Sequence, residues 1–185
     1  IFDWDDTLLC TSWLQRYGGA RWGALEAQLA SIEKHAHKML TLAMSLGQTF
    51  IVTNATRGWV EYSAEEWAPR LLPVLNQVQI ISARENYEDA HPCDIHKWKI
   101  EAFLDLQRQL PATQVTNLIA LGDSEFEMTA AKEMRAQFDH ALLKTVKFQT
   151  DPSPQVMLNE MQLVSRNLAR IAGAAKSMRV FLEKK

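Results

Sequence analysis

Two carboxylates stand two positions apart near the start of the chain, at Asp3 and Asp5, where an apolar run meets a threonine. Such a segment alone is weak evidence of function, because short acidic clusters often form solvated turns. Further polar signals follow along the chain, and acids, a hydroxyl and a lysine together suit phosphate chemistry, which needs a nucleophile, a proton donor and charge neutralisation. These signals are Thr53-Asn54 after Ile51-Val52, the lysines Lys97 and Lys99, and Asp123-Ser124 after Leu118–Gly122, with Glu127 close behind.

Short apolar runs alternate with helical patterns around these residues. Strands that alternate with helices form parallel sheets, so the predicted fold class is α/β. In doubly wound sheets ligands bind at the carboxyl ends of the strands, and we therefore expect Asp3, Thr53 and Asp123 to converge there. The predicted strands are Ile1-Phe2, Thr49–Thr53, Val78–Ser82, Val115–Leu121 and Leu142–Phe148, and the predicted helices cover Trp22–Gly47, Gly58–Trp67, Asp94–Leu110 and Glu125–Phe138.

Two segments lie outside this alternation. Residues 8–21, with Trp13 and Gly18-Gly19, predict a loop or flap at the end of the first strand. After residues 151–154 an apolar spacing of three and four continues to Leu182, which predicts one long C-terminal helix. We expect this helix to pack on the first long helix and to overhang at Met178 and Leu182 as a homodimer or partner contact. The predicted organisation is a catalytic domain over 1–150 and a helix over 151–185 packed on it.

Taken in order, the acid pair, the strand-end hydroxyl, the lysine and the second acid pair resemble the four motifs of the haloacid-dehalogenase (HAD) superfamily of phosphohydrolases. The resemblance extends from Ile1 to about Phe148. It implies a Rossmann-like, doubly wound parallel sheet of about five strands. It also implies a Mg²⁺-dependent phosphatase, a phosphoric monoester hydrolase that works through an aspartyl-phosphate and so divides one difficult displacement into two easier ones.

The resemblance assigns roles to the motif residues. Asp3 would be the nucleophile, and Asp5 would be the general acid and base. Thr53 and Asn54 would hold the phosphoryl group, and a lysine would neutralise the charge of phosphate and nucleophile. Lys99 is the preferred lysine.

Several assignments remain open between a functional and a structural role. Lys99 is preferred to Lys97 because Phe103 follows it by four residues as an apolar anchor, which resembles the spacing in the corresponding helix of the HAD superfamily. Arg57, a candidate substrate-binding residue, and Arg84 both follow predicted strand ends, and each could instead be a surface charge. Asp6 could simply cap the exit of the first strand.

A phosphate dianion repels an attacking carboxylate, so a hard divalent cation must bridge them, and Mg²⁺ typically uses one or two carboxylates. Asp3 and Asp123 fit that requirement. By resemblance the main-chain carbonyl of Asp5 would be the third protein ligand, and Glu127 or Ser124 would act through water. Glu127 could equally be an ordinary surface glutamate.

The chain leaves no room for the cap domain that many members of the superfamily insert near the first or third strand. An uncapped site is open to large substrates, so a phosphoprotein, including phosphotyrosine, is the favoured substrate. One alternative is a small-molecule phosphatase closed by dimerisation, and another is a non-catalytic binding or scaffold protein of the same fold. A receiver-type phosphoacceptor has the same residue types in a different order.

Composition sets broader bounds. A net charge of −2 over 185 residues gives no basic surface for nucleic acid. Two distant cysteines and no run of eighteen apolar residues favour a reducing, cytoplasmic location without a membrane span. Because only Ile1-Phe2 precede the first carboxylate, we expect a segment upstream of Ile1 to be missing, which would leave targeting unknown.

Overall fold

The computed structural model describes residues 1–18, 23–111 and 115–182, so the predictions for Gly19 and Trp22 lie outside the described residues. The described residues form helices and parallel strands in alternation, which confirms the α/β class. The helices are α1 (Thr11–Tyr17), α2 (Gly23–Leu46), α3 (Trp59–Trp67), α4 (Leu72–Leu75), α5 (Ala83–Tyr87), α6 (Ile95–Gln109), α7 (Glu125–Arg135) and α8 (Pro154–Gly173). The strands are β1 (Phe50–Thr53), β2 (Gln79–Ser82), β3 (Asn117–Gly122), β4 (Leu142–Lys147) and β5 (Met178–Phe181).

The strands form two parallel sheets, β1-β2 and β3-β4-β5, rather than the single predicted sheet. The predicted first strand is reduced to isolated bridges from Phe2 to Ile51 and to Leu121. Its backbone still bonds on both sides, because Phe2 N donates to Phe50 O at 2.8 Å and Asp3 N donates to Leu121 O at 2.8 Å. Asp3 therefore lies between β1 and β3.

Alternate strand residues enter two separate hydrophobic cores, as the period of an extended chain requires. Ile51 and Leu121 pack in a core with the buried stripes of α2 and α8, which contact each other directly. Val52 and Ala120 pack in a second core with α6 and α7. Helices thus cover both faces of the strands, and the ends of the strands are left uncovered, where polar residues can lie.

The C-terminal helix is shorter than predicted. It ends at Gly173, and Met178–Phe181 form β5 against β4. Buried Lys144 donates from Nζ to Ala172 O at 2.6 Å, which places a cation at the helix C-terminus, where it is favourable. The predicted overhang at Met178 and Leu182 is wrong, because Met178 lies in β5 and Leu182 N donates to Lys147 O at 3.0 Å.

The predicted flap contains a helix. Asp6 has φ 54 and turns the chain sharply after the acid pair. Its carboxylate then accepts a hydrogen bond from Ser12 N at 3.1 Å and so satisfies one N–H of the first turn of α1, whose N-cap residue is Cys10. Within the described ranges, no helix combines the length and the apolar character of a transmembrane span.

Candidate active site

Lys99 lies at the centre of a buried polar cluster. Its Nζ donates to Asp3 Oδ1 at 2.6 Å and to Val52 O at 2.7 Å, and lies 3.0 Å from Glu127 Oε1. Only 1% of its side chain is exposed. An ammonium group has three donors, and here three protein oxygens surround it. Lys99 therefore fixes Asp3, the end of β1 and the first turn of α7 relative to one another.

The sequence of α6 places Lys99 on the buried face of that helix. Asp94 caps the helix by accepting a hydrogen bond from Lys97 N at 3.0 Å. Lys99 and Phe103 then lie one turn apart, and both are buried, whereas Lys97 is exposed. The geometry brings Lys99, and not Lys97, to Asp3.

Glu127 is buried against Lys99, so the surface alternative for this residue is wrong. The capping box of α7 orients it, because Ser124 N and Oγ donate to Glu127 Oε2 at 3.1 and 2.6 Å. Gly122 makes this position possible. A Cβ at Gly122 would lie 2.4 Å from Glu127 Cγ and 2.7 Å from its Cβ, which is closer than side-chain atoms can pack.

Asp5 accepts three hydrogen bonds from three different elements. Thr11 Oγ1 donates to Oδ1 at 2.6 Å, and Trp59 Nε1 donates to the same oxygen at 2.8 Å. Thr53 Oγ1 donates to Oδ2 at 3.1 Å. The hydroxyl predicted to hold phosphate is thus directed at Asp5.

Trp4 lies between Asp3 and Asp5 in the sequence, but its side chain packs on the side of the segment opposite to the two carboxylates. It is fully buried, and its Nε1 donates to Ser63 Oγ at 2.9 Å. Alternate residues of an extended segment point to opposite sides, which leaves Asp3 and Asp5 facing the polar edge. Thr7, which follows Asp6, is also buried, and its Oγ1 has no hydrogen-bond partner among the described residues.

The cluster holds more negative charge than Lys99 can balance. Burial raises the pKa of Asp3 well above its usual range against the opposing effect of Lys99. Burial, Glu127 and Asp6 raise the pKa of Asp123 to about 7. Burial also acts to raise the pKa of Glu127, but Lys99 and the Ser124 hydrogen bond outweigh it, so this pKa is lowered. Lys99 and Glu127 therefore form the charged pair of the cluster, whereas burial disfavours the ionised form of Asp3.

The donor chemistry fits a hard divalent cation. Carboxylate oxygens of Asp3, Asp123 and Glu127 lie within 4.8 Å of one another. An all-oxygen set of this kind suits Mg²⁺. Because Lys99 and Ser124 already engage both oxygens of Glu127, Asp3 and Asp123 are the better candidates to hold the ion. The main-chain carbonyl of Asp5 stays a predicted ligand.

The other predicted binding residues have partners outside the cluster. Asn54 Nδ2 donates to Ile95 O at 3.4 Å and ties the end of β1 to α6. Arg57 pairs with Glu85 at 3.3 Å, and its side chain is 80% exposed. Arg84 pairs with Glu88 at 2.8 Å. Substrate binding by Asn54 and Arg57 stays a prediction.

Sequence reasoning missed Thr11 and Trp59, which both contact Asp5, and the spatial role of Gly122. Thr11 and Trp59 belong to no recognisable motif, and the sharp turn at Asp6 is needed to bring residue 11 back to Asp5. Gly122 was detectable, because the small residue directly precedes the second acidic motif.

A separate cavity of about 480 Å³ lies near the amino ends of the strands, lined by Phe50, Asn117 and apolar residues of α2 and α8. Among the described residues that line it, none has an ionisable side chain for the chemistry considered above. The polar cluster at the carboxyl ends is therefore the better candidate site.

Comparison with protein-family models, with curated proteins and with solved structures gave no match.

Proposed function

We propose that this protein is a Mg²⁺-dependent phosphatase of the HAD type, which hydrolyses phosphate monoesters through an aspartyl-phosphate on Asp3. The observation that carries the proposal is the contact of Lys99 Nζ with Asp3 Oδ1 at 2.6 Å, between residues from distant motifs. The hydrogen bond from Thr53 to Asp5 joins two further motif residues in the same way. Four separate sequence signals thus supply one polar cluster.

We also infer that the two sheets are halves of one Rossmann-like, doubly wound sheet. The backbone bonds of residues 1–3 to Phe50 and Leu121 support the strand order β2-β1-(1–3)-β3-β4-β5. In this order all strands are parallel, but the strands that follow along the chain lie to one side of residues 1–3 first and then to the other. This reversal of strand order is the switch point at which such sheets bind ligands.

Asp3 and Asp5 have separate roles in the two steps of the proposed reaction. Asp3 Oδ2 attacks phosphorus, because Lys99 engages Oδ1, and the bond from phosphorus to the leaving oxygen breaks as Asp5 gives that oxygen a proton. In the second step the Asp5 carboxylate takes a proton from water while the water oxygen attacks phosphorus. The bond to Asp3 breaks, and inorganic phosphate leaves. Mg²⁺, held by Asp3 and Asp123, would neutralise charge between the phosphate and the nucleophile.

The favoured substrate is a phosphoprotein, including phosphotyrosine. The segment between Asp3 and β1 is occupied by α1 and α2 over its described residues, and α2 packs on α8. This arrangement supports an uncapped site that a protein loop can reach. A metabolite phosphatase closed by dimerisation is the alternative, and turnover of phosphopeptides against sugar and nucleotide phosphates, with mass by light scattering, distinguishes the two.

One observation favours a non-catalytic scaffold instead. The Lys99 ammonium and the Thr53 hydroxyl both point at protein oxygens, so that binding a phosphoryl group at either requires an exchange of partners. Such a protein would bind phosphorylated ligands without turnover.

Hydrolysis of para-nitrophenyl phosphate and of a phosphotyrosine peptide with Mg²⁺ tests the proposal. Asp3→Asn should abolish turnover with the circular dichroism spectrum unchanged, because it removes the attacking charge at constant volume. Asp5→Asn should slow both steps, and the exposed Asp89→Asn should leave the rate unchanged. Near-wild-type turnover by Asp3→Asn would contradict the covalent mechanism, and absence of turnover by the wild type on all phosphate esters would favour the scaffold.

A further inference from the structure

The two oxygens of Asp5 are not equivalent. Oδ1 accepts hydrogen bonds from both Thr11 Oγ1 (2.6 Å) and Trp59 Nε1 (2.8 Å). Oδ2 accepts one, from Thr53 Oγ1 at 3.1 Å. A carboxylate oxygen has two lone-pair sites, so Oδ1 is saturated, whereas Oδ2 keeps one site for a transferable proton.

We propose that Trp59 and Thr11 are positioning residues that direct proton transfer in the phosphatase reaction through Oδ2 of Asp5; the inference rests on the function proposed above. In the acid form, Oδ1 is the carbonyl oxygen with two donors, and Oδ2 carries the proton. When the bond from phosphorus to the leaving oxygen breaks, that oxygen takes the Oδ2 proton, and Asp5 becomes a carboxylate. In the second step Oδ2 regains a proton from the attacking water.

The two donors do more than hold the side chain. Hydrogen bonds to an ionised acceptor are stronger than those to a neutral one. The bonds from Thr11 and Trp59 therefore strengthen as Asp5 loses its proton to the leaving group, and such preorganised donors stabilise the transition state. Because an indole nitrogen can only donate, the direction of the Trp59 contact is fixed by its chemistry.

The fold holds both donors in place before any substrate binds. Trp59 is the first residue of α3 and follows Gly58, whose φ of 81 lets the chain enter the helix at this point. Its ring packs edge-on against Trp67 with centroids 6.3 Å apart. Thr11 is the first residue of α1 and is buried. Two elements distant in sequence thus meet at one oxygen atom.

Trp59→Phe removes the N–H donor and keeps an aromatic ring. We expect kcat/KM, which reports the step in which the leaving group departs, to fall about tenfold for phenyl phosphate and much less for para-nitrophenyl phosphate, because a strongly basic leaving oxygen depends on the general acid. Trp98→Phe makes the same chemical change at an indole that donates to His91 O at 2.7 Å rather than to Asp5, and should alter neither value. Thr11→Val should reproduce the unequal loss, and Thr11→Ser, which restores the hydroxyl, should reverse it.

A second measurement is independent of activity. The indole N–H resonance that disappears in Trp59→Phe should move upfield in Asp5→Ala and stay in place in Asp89→Ala, which changes an exposed acid. An indole N–H chemical shift that is unchanged in Asp5→Ala would contradict the contact between Trp59 and Asp5. If the wild type is active but Trp59→Phe lowers kcat/KM equally for both esters, the positioning role is wrong and the proposed function is unaffected. If the wild type hydrolyses neither ester, both the proposed function and the positioning role are wrong.

Discussion

Replacing Asp123 by Asn tests the charge balance of the site without any reference to activity. Burial, with Glu127 and Asp6, raises the pKa of Asp123 from 3.8 to about 7 against the opposing effect of Lys99. In the unfolded chain the carboxyl regains an ordinary pKa. The metal-free folded protein therefore holds a proton on Asp123 over a pH range in which the unfolded chain has already lost it.

The sign of the effect follows from this difference. A folded-state pKa above the unfolded-state value contributes no penalty at low pH, and the penalty grows as pH rises from 3.8 towards about 7. Well above that range it amounts to roughly 4 kcal/mol if the full difference is realised, and to about 2 kcal/mol after allowance for solvent screening. Asp123→Asn removes the ionisation and should be more stable than the wild type by this amount at high pH.

Urea denaturation in EDTA across this pH range measures the difference. The free energies of unfolding of wild type and Asp123→Asn should converge at low pH and separate as pH rises, while the exposed Asp89→Asn follows the wild type throughout. Added Mg²⁺ should then stabilise the wild type but not Asp123→Asn, because a cation bound to the folded state adds to its stability. Parallel curves for wild type and Asp123→Asn in EDTA would refute the electrostatic argument.

Three further predictions concern the same cluster. Gly122→Ala forces a Cβ to within 2.4 Å of Glu127 Cγ and should cost about 1–3 kcal/mol in urea denaturation. Gly173→Ala, where a Cβ meets nothing within 4 Å, should not destabilise, and equal effects would contradict the packing argument. Lys99→Met leaves two buried carboxylates without a cation and should cost about 3–5 kcal/mol in the same assay. The exposed Lys97→Met should cost less than about 0.5 kcal/mol, and a loss as large as that of Lys99→Met would be inconsistent with the geometry. Phosphatase activity should vanish in EDTA and return with Mg²⁺, whereas Ca²⁺ should inhibit because its larger shell misplaces the reacting groups. Full activity in EDTA would exclude the proposed chemistry.

The sequence predicted what depends on local periodicity. Buried strands next to helices set the α/β class. The spacing from Lys99 to Phe103, by its resemblance to the family's helix, favoured Lys99 over Lys97, and Lys99 is the lysine that contacts Asp3. Features that depend on tertiary contacts were missed. The spacing of three and four continued beyond Gly173, but the helix ends there, where Lys144 Nζ donates to Ala172 O and the chain goes on to pair with β4. The contacts of Asp5 required the turn at residue 6, which no periodicity encodes.

The arrangement of charges in the cluster depends on the absence of a side chain at Gly122. With no Cβ at residue 122, Glu127 packs close to the end of β3 and reaches Lys99. Lys99, saturated by three oxygens, then holds Asp3 but cannot also neutralise Asp123. Burial raises the pKa of both Asp3 and Asp123, and the neighbouring carboxylates add to this effect while Lys99 opposes it. In the proposed mechanism a bound divalent cation would favour the ionised form of Asp3, which is the form that attacks. The metal dependence proposed for the reaction would then follow from the same packing that fixes Lys99.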